Sequence, residues 1–396
     1  MEGSAVLDRR LRLVGLAAFG SLAAMRGCDP MLLTLADEYG RSVGEASRVV
    51  SAFAVAYGLC QLGYGPLGDR IGKLRVVVAA AGACAVVAAL VALAPSFDAL
   101  VAARAVMGAA AAGIVPMGIA WIGDSVPYAL RQQTLARLTT ATVAGTVAGQ
   151  WLGAWITETF GWRVCFWLLT GVFAIAGIAL GHAVRGSTVG ASATGDDRGN
   201  GIGPTVALLA LPTVQWVLAL TAVEGAAMFG ALAFVPAQLG QRFGIGTALA
   251  GAALALFGVG GFVYSRLAPR LLLRHTEASL ARWTAALLAV SLVVVAVTPV
   301  WWPTLPACFV AGAGFYTLHG ILQTRATQMA PDARGRAVTL FAGMLFIGQS
   351  TGVALAAGAA DRGAASVVFL VAGPLLAVLA LAVAQGRGAG PTRPRD

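Results

Sequence analysis

The chain has 396 residues, is 58% hydrophobic and only 11% charged, and carries a formal net charge of +10. So little charge cannot cover a soluble protein of this size, which excludes an ordinary cytosolic globule. The basic excess invites a nucleic-acid reading, and the placement of the bases along the chain decides that question.

Apolar runs of about 20 residues, each long enough to cross a bilayer core of roughly 30 Å, recur from end to end. Twelve are expected, at 11–36, 46–66, 74–94, 99–122, 136–157, 164–181, 213–236, 246–265, 280–298, 303–324, 337–359 and 364–384. A two-residue alternation is absent, so a membrane β-barrel is not expected. The first run follows Arg12 and resembles a signal peptide up to Ala23-Ala24. Arg26 and Asp29 interrupt it, however, and apolar residues continue to Ala36, so it reads as a retained helix. Arg26 and Asp29, three residues apart, can satisfy each other on one helix face.

After the second run comes Gly65-Pro66-Leu67-Gly68-Asp69-Arg70-Ile71-Gly72-Lys73, which reads as a charged hairpin. The fourth run holds Arg104 and is followed by Asp124. The fifth holds Gly145, Gly149 and Gly153, a four-residue spacing that lets a neighbouring helix approach closely, with Gln150 beside that face. Such a smooth contact suits an interface that rocks. The sixth run is followed by residues 182–203, rich in Gly, Ser, Thr and Asp, which read as a linker between two six-helix halves, 1–181 and 204–396.

The second half repeats features of the first. Gly261-Phe262-Val263-Tyr264-Ser265-Arg266 is a weaker copy of the charged hairpin, 196 residues on. Arg336 precedes Gly348-Gln349-Ser350-Thr351-Gly352 as Arg137 precedes Gly149-Gln150-Trp151-Leu152-Gly153, 199 residues earlier. Internal duplication of a helical bundle is implied. Glu224, in the seventh run, has no basic residue within its own helix. Tyr316, His319 and Gln323, in the tenth, share one helix face and read as a polar stripe on a cavity wall. Gln150 and Gln349 read either as substrate hydrogen-bonders or as interhelical ties. Trp162, Trp301, Trp302 and Tyr39 stand near span ends as interface anchors.

Of the 27 Lys and Arg, twenty fall at the N-terminus, in even-numbered loops or in the tail, five in odd-numbered loops, and Arg26 and Arg104 inside spans. The bias places both termini in the cytoplasm, and it accounts for the basic charge without nucleic acid. Cys28, Cys60, Cys84, Cys165 and Cys308 all lie inside spans without ligand spacing, so neither disulfide nor metal is expected. His182, His275 and His319 are too scattered for zinc, and no phosphate-binding glycine loop is present, so no cofactor is implied.

The run from Gly65 to Lys73 resembles the signature loop of the major facilitator superfamily. Arg104-Ala105-Val106-Met107-Gly108 resembles its second motif, and Gly161-Trp162-Arg163 with Phe166 also stand where its members carry them. The glycines at 145, 149 and 153 keep the spacing of a third motif, that of drug:proton antiporters, although Gln150 replaces the expected proline. Leu322-Gln323-Thr324, Ala330-Pro331 and Arg334-Gly335 are similar to a bacterial branch of sugar- or drug-efflux permeases. The resemblance implies an all-α membrane protein of twelve helices in two pseudo-symmetric bundles, a monomer in a bacterial inner membrane.

It further implies a gate at Gly65, Asp69, Arg70, Gly72 and Lys73, with Asp69 facing the N-terminal end of span eleven and Asp124 holding Arg70. It places Arg104 on the central cavity, where it acts on nearby protonation. The expected activity is proton-coupled export of a small organic compound by alternating access. Proton coupling falls to Asp29 or Glu224, within reach of Arg26 or Arg104, with His319 a further candidate. The alternatives are uptake of a sugar or organic acid, with Arg26 and Arg104 clamping an anion, and a non-transporting membrane sensor, which the intramembrane charges argue against.

Overall fold

A computed structural model describes residues 2–185 and 203–386. Among them every regular element is helical. The helices are α1 (Glu2–Arg26), α2 (Leu32–Tyr39), α3 (Val43–Ala46), α4 (Arg48–Ile71), α5 (Lys73–Ala92), α6 (Phe97–Ala111), α7 (Ile114–Ser125), α8 (Tyr128–Phe160) and α9 (Trp162–Val184), then α10 (Gly203–Ala207), α11 (Pro212–Leu232), α12 (Val235–Phe243), α13 (Thr247–Arg274), α14 (Glu277–Val297), α15 (Thr304–Gln328), α16 (Arg334–Asp361) and α17 (Ala365–Ala384). Residues 186–202, the greater part of the expected linker, and the basic tail from 387 lie outside the described residues.

These elements build the twelve expected spans, three of which are broken. Span one is α1, a short 3₁₀ turn at Asp29–Met31, then α2. Pro30 has no N–H to continue the ladder, and Gly27 precedes it, so the helix re-forms only at Leu32. Span four breaks between α6 and α7 at Gly113, and span seven between α11 and α12, where Pro236 stands near the start of α12. Among the described residues, ten spans are long and apolar enough to cross a membrane by length and composition alone. The other two, α4 and α8, are unbroken helices of 24 and 33 residues. They are more polar because α8 carries a threonine series and two arginines, and α4 holds Gln61 and ends in the charged run.

The charged run is itself helix. α4 continues through Asp69 and Arg70 to Ile71, and the expected hairpin shrinks to Gly72, whose φ of 94° lets the chain reverse directly into α5. Its copy is further from a hairpin: Gly261 to Arg266 lie in the interior of α13, which runs on to Arg274. The duplication is better seen in helix packing. Ala23 and Gly149 approach so closely that a Cβ on Gly149 would stand 2.5 Å from the Ala23 carbonyl oxygen, and Gly348 meets Ala222 in the same way 199 residues later.

Those glycines correct one expectation. Gly145, Gly149 and Gly153 face Phe19, Ala23 and Gly27 of span one, within the same half, so they weld α8 to α1 and do not form a rocking interface. The seams between halves are α4 against α16 and α8 against α13. Each half buries its own large apolar cluster, the first around Phe53, Trp162, Phe166 and Phe173, the second around Phe257, Phe315, Phe341 and Phe369.

The seams are closed at the end away from the termini. There the Asp361 carboxylate accepts the Gly44 N–H at 2.6 Å, and Glu158 accepts the Ala248 N–H at 2.5 Å. The two contacts are pseudo-symmetric: an acid near the end of α16 or α8 grips backbone at the start of the facing helix of the other half. Further along, Ser350 donates to the Ser51 carbonyl at 3.0 Å and Tyr57 packs on Phe346 at 4.6 Å. Beyond that depth the α4–α16 seam parts. A Cβ on Gly58 would meet the Gly343 carbonyl at 2.8 Å, whereas Cβ atoms on Gly63, Gly65 and Gly335 would meet nothing within 4 Å.

Candidate functional site

The breaks in spans one and seven bring the interrupted ends of α1 and α11 together at mid-depth. Arg26, the last residue of α1, lies 3.7 Å from Asp29 at the start of the 3₁₀ turn, as their spacing led one to expect. Its guanidinium also crosses to the other half, 4.0 Å from the ring centroid of Phe229 in α11. Phe229 is one edge of an aromatic set with Phe257 and Phe315, at centroid distances of 6.2 and 5.0 Å. Phe315 stacks on His319 at 5.3 Å, and His319 reaches Phe341 at 5.1 Å.

Glu224 finds its partner here. His319 Nδ1 lies 3.0 Å from Glu224 Oε2, tying span seven to span ten. The expectation that these acids lie within reach of Arg26 or Arg104 holds for Asp29, 3.7 Å from Arg26, and is corrected for Glu224, whose partner is an imidazole. Along α15 the polar stripe is graded. Gln323 is exposed, His319 and Tyr316 are half-buried, and Phe315 is buried, so accessibility falls from the terminal end towards Arg26.

Arg104 does not stand on an accessible face. It is fully buried, donating from one terminal nitrogen to the Ala24 carbonyl at 2.8 Å and from Nε to the Val49 carbonyl at 3.2 Å, with its guanidinium 4.4 Å from the Phe53 centroid. It pins spans one, two and four to one another. An anion clamp made of Arg26 and Arg104 loses its second arm.

Several buried polar atoms have no hydrogen-bond partner among the described residues. Among them are both amide atoms of Gln150, Oε1 of Gln349, both carboxylate oxygens of Asp29, Oε1 of Glu224 and one terminal nitrogen of Arg104. Buried polar groups are rarely left so, and a cluster of them at the depth where the helices break marks a place for water or a polar ligand. Gln150 and Gln349, fully buried beside the two welded seams, supply neutral donors and acceptors there.

At the terminal end, Asp69 and Arg70 are exposed on the last turn of α4. Asp124 pairs with Lys73 rather than with Arg70. The reversal at Gly72 makes Lys73 the first residue of α5, which packs along α7, whereas Arg70 stays on the last turn of α4. Glu38 receives the Trp162 indole N–H at 2.6 Å and pairs with Arg163, joining the far end of span one to the start of span six.

Sequence reasoning missed Phe229, Phe315 and Phe341, because a phenylalanine within an apolar span carries no signal of its own. It also missed Glu158 and Asp361. Their signal was present: each is a lone acid closing one of two duplicated spans.

The family model described as Major Facilitator Superfamily matches residues 14–341. A chloramphenicol resistance protein of Streptomyces lividans is 31% identical over 364 residues, 88% of each chain. Among solved structures, a bacterial homolog of the human lysosomal transporter Spinster, in an inward-facing and unoccupied conformation, superposes with a TM-score of 0.69 at 17% identity, covering 96% of this chain and 95% of that one. A D-xylose–proton symporter gives a TM-score of 0.72 at 14% identity, with 95% and 96% covered.

Proposed function

This chain belongs to the major facilitator superfamily, and from that premise we propose that it is a proton-coupled exporter of a small organic compound, working from the cytoplasm of a bacterial cell across its inner membrane. The terminal end is then the cytoplasmic side, in keeping with the arginine bias, and the graded face of α15 lines a central cavity open to the cytoplasm. The observation that carries coupling is the Glu224–His319 pair, an acid and a base 3.0 Å apart at the wall of that cavity. The similarity to a resistance protein over nearly the whole chain supports export of a drug-sized compound, with chloramphenicol the first candidate.

Inside-out vesicles test the reading. An imposed gradient, acid inside, is expected to drive chloramphenicol into the lumen, and dissipating the gradient with a protonophore is expected to release it. Uptake unaffected by the gradient, or release in place of accumulation, contradicts proton-driven export.

Alternating access adds an expectation for the seams. In the conformation described here, the Asp361 and Glu158 contacts hold the far end shut. A hydrogen bond to a charged group contributes roughly 1.5–3 kcal/mol, less where exposed, so each is worth up to about tenfold in the balance of two states. The double variant Asp361→Asn, Glu158→Gln is expected to widen the far-end distance distribution between spin labels on α3 and α16. Asp69→Asn is expected to act oppositely, because Asp69 belongs to the gate at the terminal end: it should lower transport with binding retained. Equal distributions in wild type and double variant refute the latch.

A further inference from the structure

Both buried acids of the central region lie behind a basic group. The side chain of Asp29 is 1% exposed and that of its partner Arg26 is 8%; for Glu224 and His319 the values are 0% and 18%. A compound entering from the terminal end therefore meets the guanidinium and the imidazole before either carboxylate. The Arg26 guanidinium also occupies the face of Phe229.

A lipophilic cation is commonly held by an acid together with an aromatic face. Here the chain's own cation has taken both. An organic anion fares no better, since Arg26 is already neutralised by Asp29 and Arg104 is buried against backbone carbonyls. The neutral groups the region leaves unsatisfied are both amide atoms of Gln150 and Oε1 of Gln349; its unpartnered charged atoms, on Asp29, Glu224 and Arg104, belong to side chains more deeply buried than Arg26 and His319. A charged ligand would lose its hydration here and would have to displace Arg26 or His319 to reach a buried carboxylate, whereas an uncharged one needs only hydrogen bonds.

Building on the reading of the cavity as the site for an organic compound, we infer that Arg26 and Asp29 together form a charge filter, which admits uncharged aromatic compounds bearing hydroxyl or amide groups and rejects lipophilic cations and organic anions. Arg26 is a specificity-determining residue that acts by standing where a cationic ligand would bind.

The test is equilibrium binding to the full-length protein in lipid nanodiscs, with chloramphenicol, tetraphenylphosphonium and p-toluenesulfonate as the uncharged, cationic and anionic probes. Wild type is expected to bind chloramphenicol at least about tenfold more tightly than either ion. Arg26→Gln frees the Asp29 carboxylate and the Phe229 face, and tetraphenylphosphonium is expected to gain about tenfold or more. Asp29→Asn leaves Arg26 unpaired, and p-toluenesulfonate is expected to gain instead, by a similar factor. Arg26→Lys keeps the cation and is expected to keep wild-type selectivity, so with Asp29→Asn it decides the matter if Arg26→Gln does not fold. Tight tetraphenylphosphonium binding by wild type, or variants that bind chloramphenicol with the ionic preferences unmoved, overturns the filter and leaves the exporter reading standing. If no probe binds wild type or any variant, the exporter reading falls and the filter with it.

Discussion

Vesicles carrying Glu224→Gln are expected to show no proton-driven chloramphenicol accumulation above vesicles without the protein, while exchange of labelled for unlabelled compound continues. Among the described residues Glu224 and Asp29 are the two buried acids, and their partners separate them. Asp29 faces Arg26 at 3.7 Å, a charge and its complement within one turn of span one. Glu224 faces His319, whose ring nitrogen can either donate or accept at 3.0 Å, so a proton can pass between the acid and the imidazole.

The pair also joins α11 to α15, and α11 carries the Phe229 that Arg26 touches from the other half. Movement between the halves at that contact is thereby linked to the helix that holds the acid, which is what coupling requires. Glu224→Gln keeps the shape and the hydrogen bond but removes the titrating oxygen. Asp29→Asn, by contrast, is expected to retain proton-driven transport while altering which compounds bind. Coupling lost in Asp29→Asn and kept in Glu224→Gln would exchange the two assignments.

Much of this was legible along the chain, for reasons that differ from residue to residue. Twelve spans and their duplication follow from runs of apolar side chains, and that signal needs no knowledge of neighbours. The pairing of Arg26 with Asp29 could be read because both lie on one turn. The pairing of Glu224 with His319 could not, since the two are 95 residues apart and only the packing of α11 on α15 makes them meet. The glycines of α8 announced a close contact, yet spacing alone does not say against what; the answer, span one of the same half, turned an expected moving surface into a fixed one. The charged run misled in another way. Its composition resembles a loop, but only Gly72 leaves the helix, because one residue with positive φ is enough to reverse the chain.

Arg104→Ala is expected to destabilise the protein severely, with no separate effect on coupling. The side chain is fully buried, and among the described residues it offers its charge to two backbone carbonyls, Ala24 and Val49, and to the face of Phe53. Hydrogen bonds to charged groups contribute about 1.5–3 kcal/mol each, so removing both, together with the packing, is expected to cost about 3–5 kcal/mol. That is a large share of the stability of a typical folded protein. A lysine retains the charge but has neither the planar fork nor the reach to satisfy two carbonyls on different helices, so Arg104→Lys should fall between wild type and Ala. The check is the thermal transition of purified protein, read beside proton-driven transport at a temperature where the variants remain folded. Lowered transitions in the order wild type, Lys, Ala, with coupling per folded molecule preserved, fit a residue that pins spans one, two and four. An Arg104→Lys variant that melts like wild type but has lost coupling would return the arginine to the transport pathway.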